Sequence, residues 1–372
     1  MALTKYRLED LLDRNTEYNE TLEFGISSVR GVLNTKGISD TKANVDSRDL
    51  SKFLVVRPGG FIFNHRVHDK LGLGYNTSKD VYIFTNDYVA FYVKPEIAEK
   101  VLLPDYLYMW YLRPEFDRYM LFKTYGSATL FFNWDNMCEL EIELPDITIQ
   151  QKYVDVYNAM IANQRSYERG LEDLKLVCDG FIEDLRRRMP CEKIGPYLSQ
   201  CNEKNDDNSI SLFQGVNVDH VFTDPKRVAE DAENGSVVRT GQFAFNKVMK
   251  SHNTKLPIAL REGPDCIVSS SYQVFEVNNT EKLLPKYLLL WMNRVETQRY
   301  AGFISFGTTR DIFSFEDLCE IKIPLPNKKV QQSIVDIFEV HQKRSAINEN
   351  MKTRIKNICP ILIKGSLEEG AR

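Results

Sequence analysis

The chain has 372 residues, of which 43% are hydrophobic and 27% charged, and its net charge is −4. This composition excludes a fibrous or disordered protein and leaves room for two or three globular domains. The weakly acidic balance argues against general binding to polyanions, but it is compatible with a local basic face. Seven cysteines without CxxC spacing, no signal-peptide pattern and no run of 18 apolar residues predict a reduced, cytoplasmic protein without a membrane span.

The predicted elements of the first half follow one another as in a mixed α/β (α+β) fold. Residues 1–15 are typical of a short helix or turn, and strands are expected at 53–56, 61–63, 81–84 and 88–93. A helix of about 16 residues should begin near Pro104, because proline suits a first helical turn. A glycine loop at 125–129 and a strand ending at Leu144-Pro145 follow. The apolar residues of the helix, with their second-half counterparts, are expected in the core: Leu107, Trp110, Tyr111 and Phe122, then Leu288, Trp291 and Phe303.

The chain consists of two head-to-tail copies, roughly residues 1–188 and 189–372. Laying residues 104–157 on residues 285–338 without a gap gives 20 identities in 54 positions. Upstream, RPGGFIFN at 57–64 returns as RTGQFAFN at 239–246. The copies differ most over about 27–100 and 217–280. Such a partition is expected if a common frame carries two different recognition surfaces.

Each copy closes with a long periodic helix that opens on a Gln-Gln pair. Apolar residues recur there with the 4-3 spacing of a coiled coil, and polar members near the middle are expected to set the register. Thr148 and Gln151 predict a capping box for the first helix, and Asn327 is the candidate cap of the second. Pro360 is expected to end or kink the second helix. The predicted seams are Ile149, Tyr153, Val156, Met160, Asn163, Tyr167, Gly170, Leu174, Val177 and Phe181, then Val330, Ile334, Ile337, His341, Arg344, Asn348, Met351, Ile355 and Ile358.

The two helices are expected to pack antiparallel, because each must bury its apolar stripe and the other helix offers the nearest one. Two tandem pseudo-symmetric globules would then lie at opposite ends of a helical pair. A helix of about 40 residues is about 60 Å long, or about 18 base pairs at most. The expected domains are residues 1–147 and 190–327 for the globules, and residues 148–189 and 328–372 for the spacer helices.

Catalytic motifs are missing from the sequence. It contains no P-loop, no dinucleotide-binding glycine motif, no HExxH and no GxSxG. His65 and His68 with Asp69 could be imagined as a metal site, but a polar surface loop is the better interpretation, because the second copy has no counterpart. We therefore expect a recognition component without catalytic residues, cofactor or metal.

Basic and small hydroxyl residues on loops suggest contact with DNA instead. In both copies a basic, histidine-bearing loop follows Phe-x-Phe-Asn, and a Gly-(Ser/Thr) loop recurs at 126–129 and 307–310. Such side chains contact phosphates and base edges, and their recurrence in both copies favours this over a merely solvated loop. The candidate DNA-binding residues are Lys36, Lys42, Asn64, His65, Arg66, His68, Lys70, Ser127, Thr129, Lys226, Arg227, Asn246, Lys247, Lys250, His252, Lys255, Thr308, Thr309 and Arg310.

The order of these features resembles the specificity (S) subunit of type I restriction–modification systems. IELPDITIQQKYV, IKIPLPNKKVQQSIV, TKANVDSRDLSKFLVVRPGGF and the duplication itself carry the resemblance, which covers essentially the whole chain. It implies two target-recognition domains that each read half of a split DNA site, and antiparallel helices that fix the gap and dock two methyltransferase subunits. The implied partners are double-stranded DNA, two methyltransferase (M) subunits and restriction/translocase (R) subunits. Adenine methylation would belong to the partners.

Other functions are open at this point. A DNA methyltransferase with its own recognition domain would need a cofactor loop and an Asn-Pro-Pro-aromatic motif, and the sequence has neither. A coiled-coil scaffold that does not bind DNA is a second alternative. A specificity subunit for a fused methyltransferase–nuclease is a third, which the sequence does not separate from the type I case.

Overall fold

A computed structural model of the protein describes residues 3–41, 44–126, 129–225, 235–249, 255–305 and 311–372. The chain divides into two compact units. Unit 1 contains residues 1–167 and 348–372, and unit 2 contains residues 168–347. Both chain ends therefore belong to unit 1. The fold is mixed α/β, as predicted.

The described residues form short strands, short helices and two long helices. The helices are α1 (Leu8–Leu11), α2 (Pro104–Tyr111), α3 (Pro114–Lys123), α4 (Trp134–Cys138), α5 (Ile147–Arg188), α6 (Pro285–Met292), α7 (Val295–Ile304), α8 (Phe315–Cys319) and α9 (Lys328–Gly370), with 3-10 turns at Ile26–Ser28, Leu50–Lys52 and Gly195–Tyr197. The strands of the first half are β1 (Thr4–Arg7), β2 (Leu12–Asn15), β3 (Arg30–Val32), β4 (Ile38–Asp40), β5 (Leu54–Val56), β6 (Phe61–Asn64), β7 (Arg66–Val67), β8 (Leu73–Tyr75), β9 (Tyr82–Phe84), β10 (Tyr88–Val93), β11 (Leu130–Phe131) and β12 (Glu141–Leu144). Those of the second half are β13 (Cys191–Lys193), β14 (Leu198–Cys201), β15 (Gly215–Val216), β16 (Phe222–Thr223), β17 (Ser236–Val238), β18 (Phe243–Asn246), β19 (Val248–Met249), β20 (Ile258–Leu260), β21 (Cys266–Val268), β22 (Tyr272–Val277), β23 (Asp311–Ile312) and β24 (Lys322–Pro324).

The two units have the same strand topology. Each has a four-stranded antiparallel sheet, ordered β2-β10-β6-β8 in unit 1 and β14-β22-β18-β20 in unit 2. The strand pairs outside these sheets also correspond, with β1–β12, β3–β4, β5–β9 and β7–β11 matching β13–β24, β15–β16, β17–β21 and β19–β23. The internal repeat therefore describes a repeated fold.

The Phe-x-Phe-Asn motif lies on the central strand β6 or β18 and buries both faces of the sheet. Phe61 and Phe63 point into the larger core, which the helices cover, while Ile62 joins a second cluster on the other face. Phe243 and Phe245 do the same in unit 2. Alternate residues of a strand point to opposite faces, so burial on both sides requires a continuous apolar run.

One prediction for the short elements is incomplete, because the short helix expected within residues 1–15 is flanked by two strands, and another is wrong. Residues 3–15 form a strand, a helix and a strand, because β1 and β2 pair with β12 and β10. The helix expected from Pro104 is broken at Arg113, which is extended as a residue before proline usually is. The break gives α3 a new phase in which Phe116 and Met120 are buried, so Phe122 is 83% exposed. Its counterpart Phe303 is 85% exposed, so neither phenylalanine is a core residue.

The cap of the first long helix differs from the predicted one, whereas the cap of the second is as predicted. Asp146 accepts hydrogen bonds from the Thr148 backbone N–H at 2.9 Å and from its hydroxyl at 2.6 Å, so Asp146 caps α5 in place of a Thr148–Gln151 box. Asn327 caps α9 as predicted and accepts from the Val330 N–H at 3.1 Å. Helix α9 does not end at Pro360 but continues to Gly370.

The buried face of α5 lies one residue out of the predicted register. The structure buries Gln150, Val154, Gln164, Leu171, Cys178 and Ile182, whereas Val156, Val177 and Phe181 are exposed. Two of the buried residues are glutamines, which a search for apolar spacing does not detect. The α9 seam is confirmed at Ile334, Asn348 and Ile355, which are buried, whereas Arg344 is exposed.

In unit 1, α5 and α9 run antiparallel and meet through polar as well as apolar contacts. Lys152 pairs with Glu369 at 2.8 Å, and the Gln164 amide donates to the Asn348 Oδ1 at 3.1 Å. Both members of the second pair are buried. In unit 2, the core includes Cys178 and Ile182 of α5 and Ile334 and Val335 of α9. A buried polar pair in an apolar seam favours one helix register, because other registers leave its groups unsatisfied.

The first glutamine of each Gln-Gln pair fastens a long helix to its unit. The buried Gln150 side chain accepts from the Leu103 N–H at 3.1 Å and donates to the carbonyls of Val101 and Pro145 at 2.8 and 2.9 Å. Gln331 makes the same three contacts, with Leu284 N–H and the carbonyls of Lys282 and Pro326. Leu103 and Leu284 precede α2 and α6, so each glutamine joins two helix starts.

Candidate nucleic-acid interface

The basic loop and the glycine loop of the first copy meet in the structure. After Asn64 the chain leaves the four-stranded sheet as β7 and returns to it as β8. Strand β7 pairs with β11, which follows the glycine loop, so that Val67 faces Leu130 and Arg66 faces Phe131. The Phe132 N–H donates to the His65 carbonyl at 2.9 Å. Antiparallel strand pairing thus joins two segments about 60 residues apart in the sequence into one surface.

Unit 2 repeats this arrangement. Strand β19 pairs with β23, with Val248 opposite Ile312, and the Phe313 N–H donates to the Lys247 carbonyl at 2.9 Å. We name the surface of β7 and β11 with their flanking loops, residues 64–72 and 125–132, loop surface 1. The equivalent residues 246–257 and 306–313 are loop surface 2, of which the structure describes 246–249, 255–257 and 311–313.

The asparagine of Phe-x-Phe-Asn has a structural task in both units. The Asn64 Oδ1 accepts from the Arg66 N–H at 3.0 Å, and the Asn246 Oδ1 accepts from the Val248 N–H at 3.0 Å. Asparagine often supports a turn by binding the backbone two residues on. Its side-chain oxygen is therefore engaged, while its position directs the chain out of the sheet towards the loop surface.

Gly126 shapes the glycine loop of unit 1. Tyr125 and Phe131 exchange backbone hydrogen bonds of 3.2 and 2.8 Å and close a tight hairpin. Gly126 has φ +117°, and a Cβ there would lie 2.1 Å from the Thr129 carbonyl oxygen. Only glycine adopts this conformation without strain. The hairpin also presents the Phe131 ring, on which the His65 ring stacks with centroids 5.5 Å apart.

The charged candidates of loop surface 1 are at the protein surface. The side chains of Arg66, His68, Lys70 and Thr129 are exposed, and His65 is half-buried. The Arg66 Nη2 lies 3.8 Å from the Asp87 Oδ1, an exposed pair of the kind that contributes little to stability. Arg66 can therefore exchange this partner for a phosphate at small cost.

Lys36 is placed differently from the other lysines. Its side chain is only 4% exposed, and its ammonium lies 2.7 Å from the Asp117 carboxylate and over the Phe116 ring. Burial lowers the Lys36 pKa, while Asp117 opposes that shift. Lys36 stays a predicted DNA contact, but its ammonium already has an anionic partner. A cleft of about 750 Å³ beside it is lined by Lys70, Asp69, Lys352 and Lys356, among others.

In unit 2, Lys247 is half-buried and Lys255 is exposed. Nine candidates lie outside the described residues, and the structure says nothing about them: Lys42, Ser127, Lys226, Arg227, Lys250, His252, Thr308, Thr309 and Arg310. Among the described ranges, no group of three or more His, Cys, Asp or Glu residues could hold a metal ion. In the same ranges, no helix is long and apolar enough to cross a membrane.

Sequence reasoning missed two buried polar residues that anchor the variable regions. Asn76 follows β8 and donates to the carbonyls of Val56 and Asp80 at 3.1 and 2.9 Å. Arg261 occupies the equivalent place after β20, donates to Gln214 at 2.7 Å and lies over the Phe222 ring at 5.0 Å. The position is shared but the residue type is not. Comparison of the two copies by identity therefore could not find it.

Comparison with known proteins agrees with this geometry. Residues 240–357 match the family model described as "Type I restriction modification DNA specificity domain". This segment begins after Arg239. It contains most of the four-stranded sheet of unit 2, the described part of loop surface 2 and the first two-thirds of α9. This part of the second copy is thus similar to a type I DNA specificity domain.

Solved structures show the same fold over the whole chain. The type I restriction–modification S subunit of M. genitalium is 12% identical, with a TM-score of 0.59 over 98% of this chain and 96% of that one. A chain from a study of complex assembly and conformational transition in the type I system is 15% identical, with a TM-score of 0.50 over 100% and 98%. No curated protein sequence matches this chain.

The resemblance to the specificity-subunit family is therefore confirmed. The family match falls on the second copy alone. The first copy has the same strand topology, helix order and glutamine contacts.

Proposed function

We propose that this specificity subunit reads a bipartite DNA site, with loop surface 1 contacting one half and loop surface 2 the other. The observation that carries the proposal is the pairing of β7 with β11 and of β19 with β23, which joins the described segments beside the basic and glycine loops in each unit. Exposed cations there would neutralise phosphates, and hydroxyl groups and histidines would reach base edges.

Two different half-sites are supported by where the copies differ. The glutamine contacts and strand topology are common to both units, whereas Asn76 and Arg261 hold dissimilar connections in place. A common frame would thus carry two surfaces of different chemistry. We propose that α5 and α9 set the unread gap between the half-sites. This gap function depends on a single helix register, which the buried Gln164–Asn348 pair favours in unit 1.

Catalysis would belong to partner subunits. We propose two methyltransferase subunits and restriction/translocase subunits as partners, with double-stranded DNA as the shared target. The net charge of −4 supports this division, because a subunit with more acidic than basic residues leaves part of the phosphate neutralisation to other chains. We also propose a cytoplasmic location for the complex.

The deciding experiment is co-expression of this chain with the methyltransferase subunit of the same restriction system, followed by single-molecule mapping of methyladenine. We expect a motif of two short blocks separated by a fixed gap. Insertion of four residues, about one helical turn, into α5 should change the gap and leave both blocks intact. A continuous motif, or an unchanged gap in the insertion variant, would contradict the proposal.

The same experiment separates the alternatives. A coiled-coil scaffold that does not bind DNA would produce no motif and no retardation of duplex DNA with the methyltransferase present. A specificity subunit of a fused methyltransferase–nuclease would yield a bipartite motif only when the fused enzyme replaces the separate subunit.

A further inference from the structure

One face of α3 and one face of α7 carry the same four residues, of which Tyr119 is half-buried and donates to the Asn136 carbonyl at 2.9 Å. Glu115, Arg118, Tyr119 and Phe122 lie on α3 with the i, i+3, i+4, i+7 spacing that places side chains on one helix face. Their counterparts on α7, 181 residues on, are Glu296, Arg299, Tyr300 and Phe303. We name these two sets the shared helix faces.

The buried sides of the same helices differ. Phe116, Asp117 and Met120 of α3 are replaced by Thr297, Gln298 and Ala301 in α7. Phe116, Met120, Gln298 and Ala301 are all buried. A duplicated helix whose role is to complete a core would keep its buried residues and vary its surface, since core volume is tightly constrained. Here the exposed residues Glu115, Arg118 and Phe122 recur in α7 while the buried residues differ, so we infer that the outer surface is the part that both copies need to keep.

The shared helix faces have the composition of a protein-binding site. Phe122 and Phe303 are 83% and 85% exposed, and Tyr300 is exposed beside Phe303. Aromatic residues and arginine supply most of the binding energy in protein interfaces. The face of α7 also borders a cleft of about 590 Å³ lined by Trp291, Arg294 and Glu296, among others, which could receive a partner side chain.

The charges on these faces favour a protein over DNA. The Arg118 Nη2 lies 3.3 Å from the Glu115 Oε1, so the cation is already neutralised within its own helix. Exposed Glu139 and Glu320, which are also identical between the copies, are paired with Lys123 and Lys193 at 2.7 and 2.6 Å. A phosphate backbone would have to displace these carboxylates from their cations, whereas a protein partner could pack on the exposed rings and leave the pairs in place.

We infer that each shared helix face docks one copy of the same protein partner, the methyltransferase subunit, with Phe122 and Phe303 as the anchoring side chains. The inference rests on the proposed function for the identity of the partner. Two identical faces match two identical partners, whereas the DNA half-sites are read by surfaces that differ. Contact with the methyltransferase thus includes the globular units and is not confined to the long helices.

The test compares Phe122→Ala, Phe303→Ala and the double variant with the wild-type chain. Native mass spectrometry and sedimentation velocity with the methyltransferase subunit of the same system measure how many copies bind. We expect two copies on wild type, one on each single variant and none on the double variant under the same conditions, with the affinity of the altered site reduced about 30-fold or more. Circular dichroism should show unchanged folding, because both rings are exposed.

Ile26→Ala and Val221→Ala serve as matched controls, since both residues are exposed and apolar but are not shared between the copies. These variants should bind two methyltransferase subunits. The inference is overturned if the double variant binds two copies with unchanged affinity. It is equally overturned if that variant keeps both copies but loses DNA affinity, which would make the faces a DNA surface. A wild-type chain that binds no methyltransferase would refute the proposed function itself.

Discussion

Replacing Gln150 by alanine tests whether the first glutamine of the Gln-Gln pair fastens α5 to unit 1. The side chain is fully buried and makes three hydrogen bonds to backbone groups of Leu103, Val101 and Pro145. Alanine would leave these three groups without partners, at about 1–3 kcal/mol for each buried unsatisfied group. Partial relaxation lowers the sum, so we expect a loss of about 3–5 kcal/mol in the free energy of unfolding of unit 1.

The neighbouring glutamine provides the control. Gln151 is exposed and donates only to Asp155 one turn along the same helix, at 2.7 Å. Gln151→Ala should change the stability by about 0.5 kcal/mol or less. Gln331→Ala and Gln332→Ala repeat the comparison in unit 2, where Gln332 donates to Asp336 at 2.8 Å.

Native-state hydrogen exchange measures the stability of each unit separately, whereas a single melting curve does not distinguish the two units. Gln150→Ala should accelerate exchange of the Leu103 amide and leave that of Leu284 unchanged, and Gln331→Ala should do the reverse. If Gln150→Ala and Gln151→Ala destabilise equally, the buried hydrogen bonds do not fasten the helix and the reasoning is refuted.

Three further predictions concern the loop surface, the hairpin and the cysteines. Arg66→Ala and Lys70→Ala should each weaken DNA binding of the assembled complex and lower the slope of log affinity against log salt by about 1, and an unchanged slope in both would remove these residues from the interface. Gly126→Ala should reduce DNA binding by distorting the 125–131 hairpin, because the new Cβ would meet the Thr129 carbonyl. As a control, Gly170 on α5 has open space around it, so Gly170→Ala should raise the free energy of unfolding by about 0.5–1 kcal/mol. Equal effects of the two variants on DNA binding would contradict this prediction. Iodoacetamide should label exposed Cys191 first and spare Cys359 in the folded protein, because Cys359 is fully buried and burial raises its pKa to about 11. Peptide mass spectrometry measures the order of labelling. Early labelling of Cys359 would contradict the packing of α9.

The repeat made much of the fold predictable. Strands at 61–63 and 88–93 were expected from runs of β-branched and aromatic residues, and the structure has them at Phe61–Asn64 and Tyr88–Val93. The shared loops also pointed to segments that the structure joins through β7–β11. Which of the candidate residues contact DNA stays a prediction.

The predictions from sequence were wrong at residues whose burial is decided by tertiary packing and not by the local sequence pattern. The α5 seam was displaced by one residue because Gln150 and Gln164 are buried through hydrogen bonds, which hydrophobic spacing does not register. Pro360 costs about 3 kcal/mol inside a helix, yet α9 continues because Cys359 and Ile363 are buried in the core of unit 1. Phe122 was assigned to the core because a single helix was assumed where Arg113 interrupts it.

The composition of unit 1 has a consequence for the order of events during synthesis. Cys359 and Ile363 belong to its main core, and the Ser366 hydroxyl lies 2.6 Å from that of the fully buried Tyr106. These residues are synthesised after every residue of unit 2. Residues 1–167 therefore keep an apolar surface uncovered until the segment 348–372 has been made. A nascent chain stalled before residue 348 should hold unit 2 ready to fold and unit 1 open, so the folding of unit 1 depends on a segment made after unit 2.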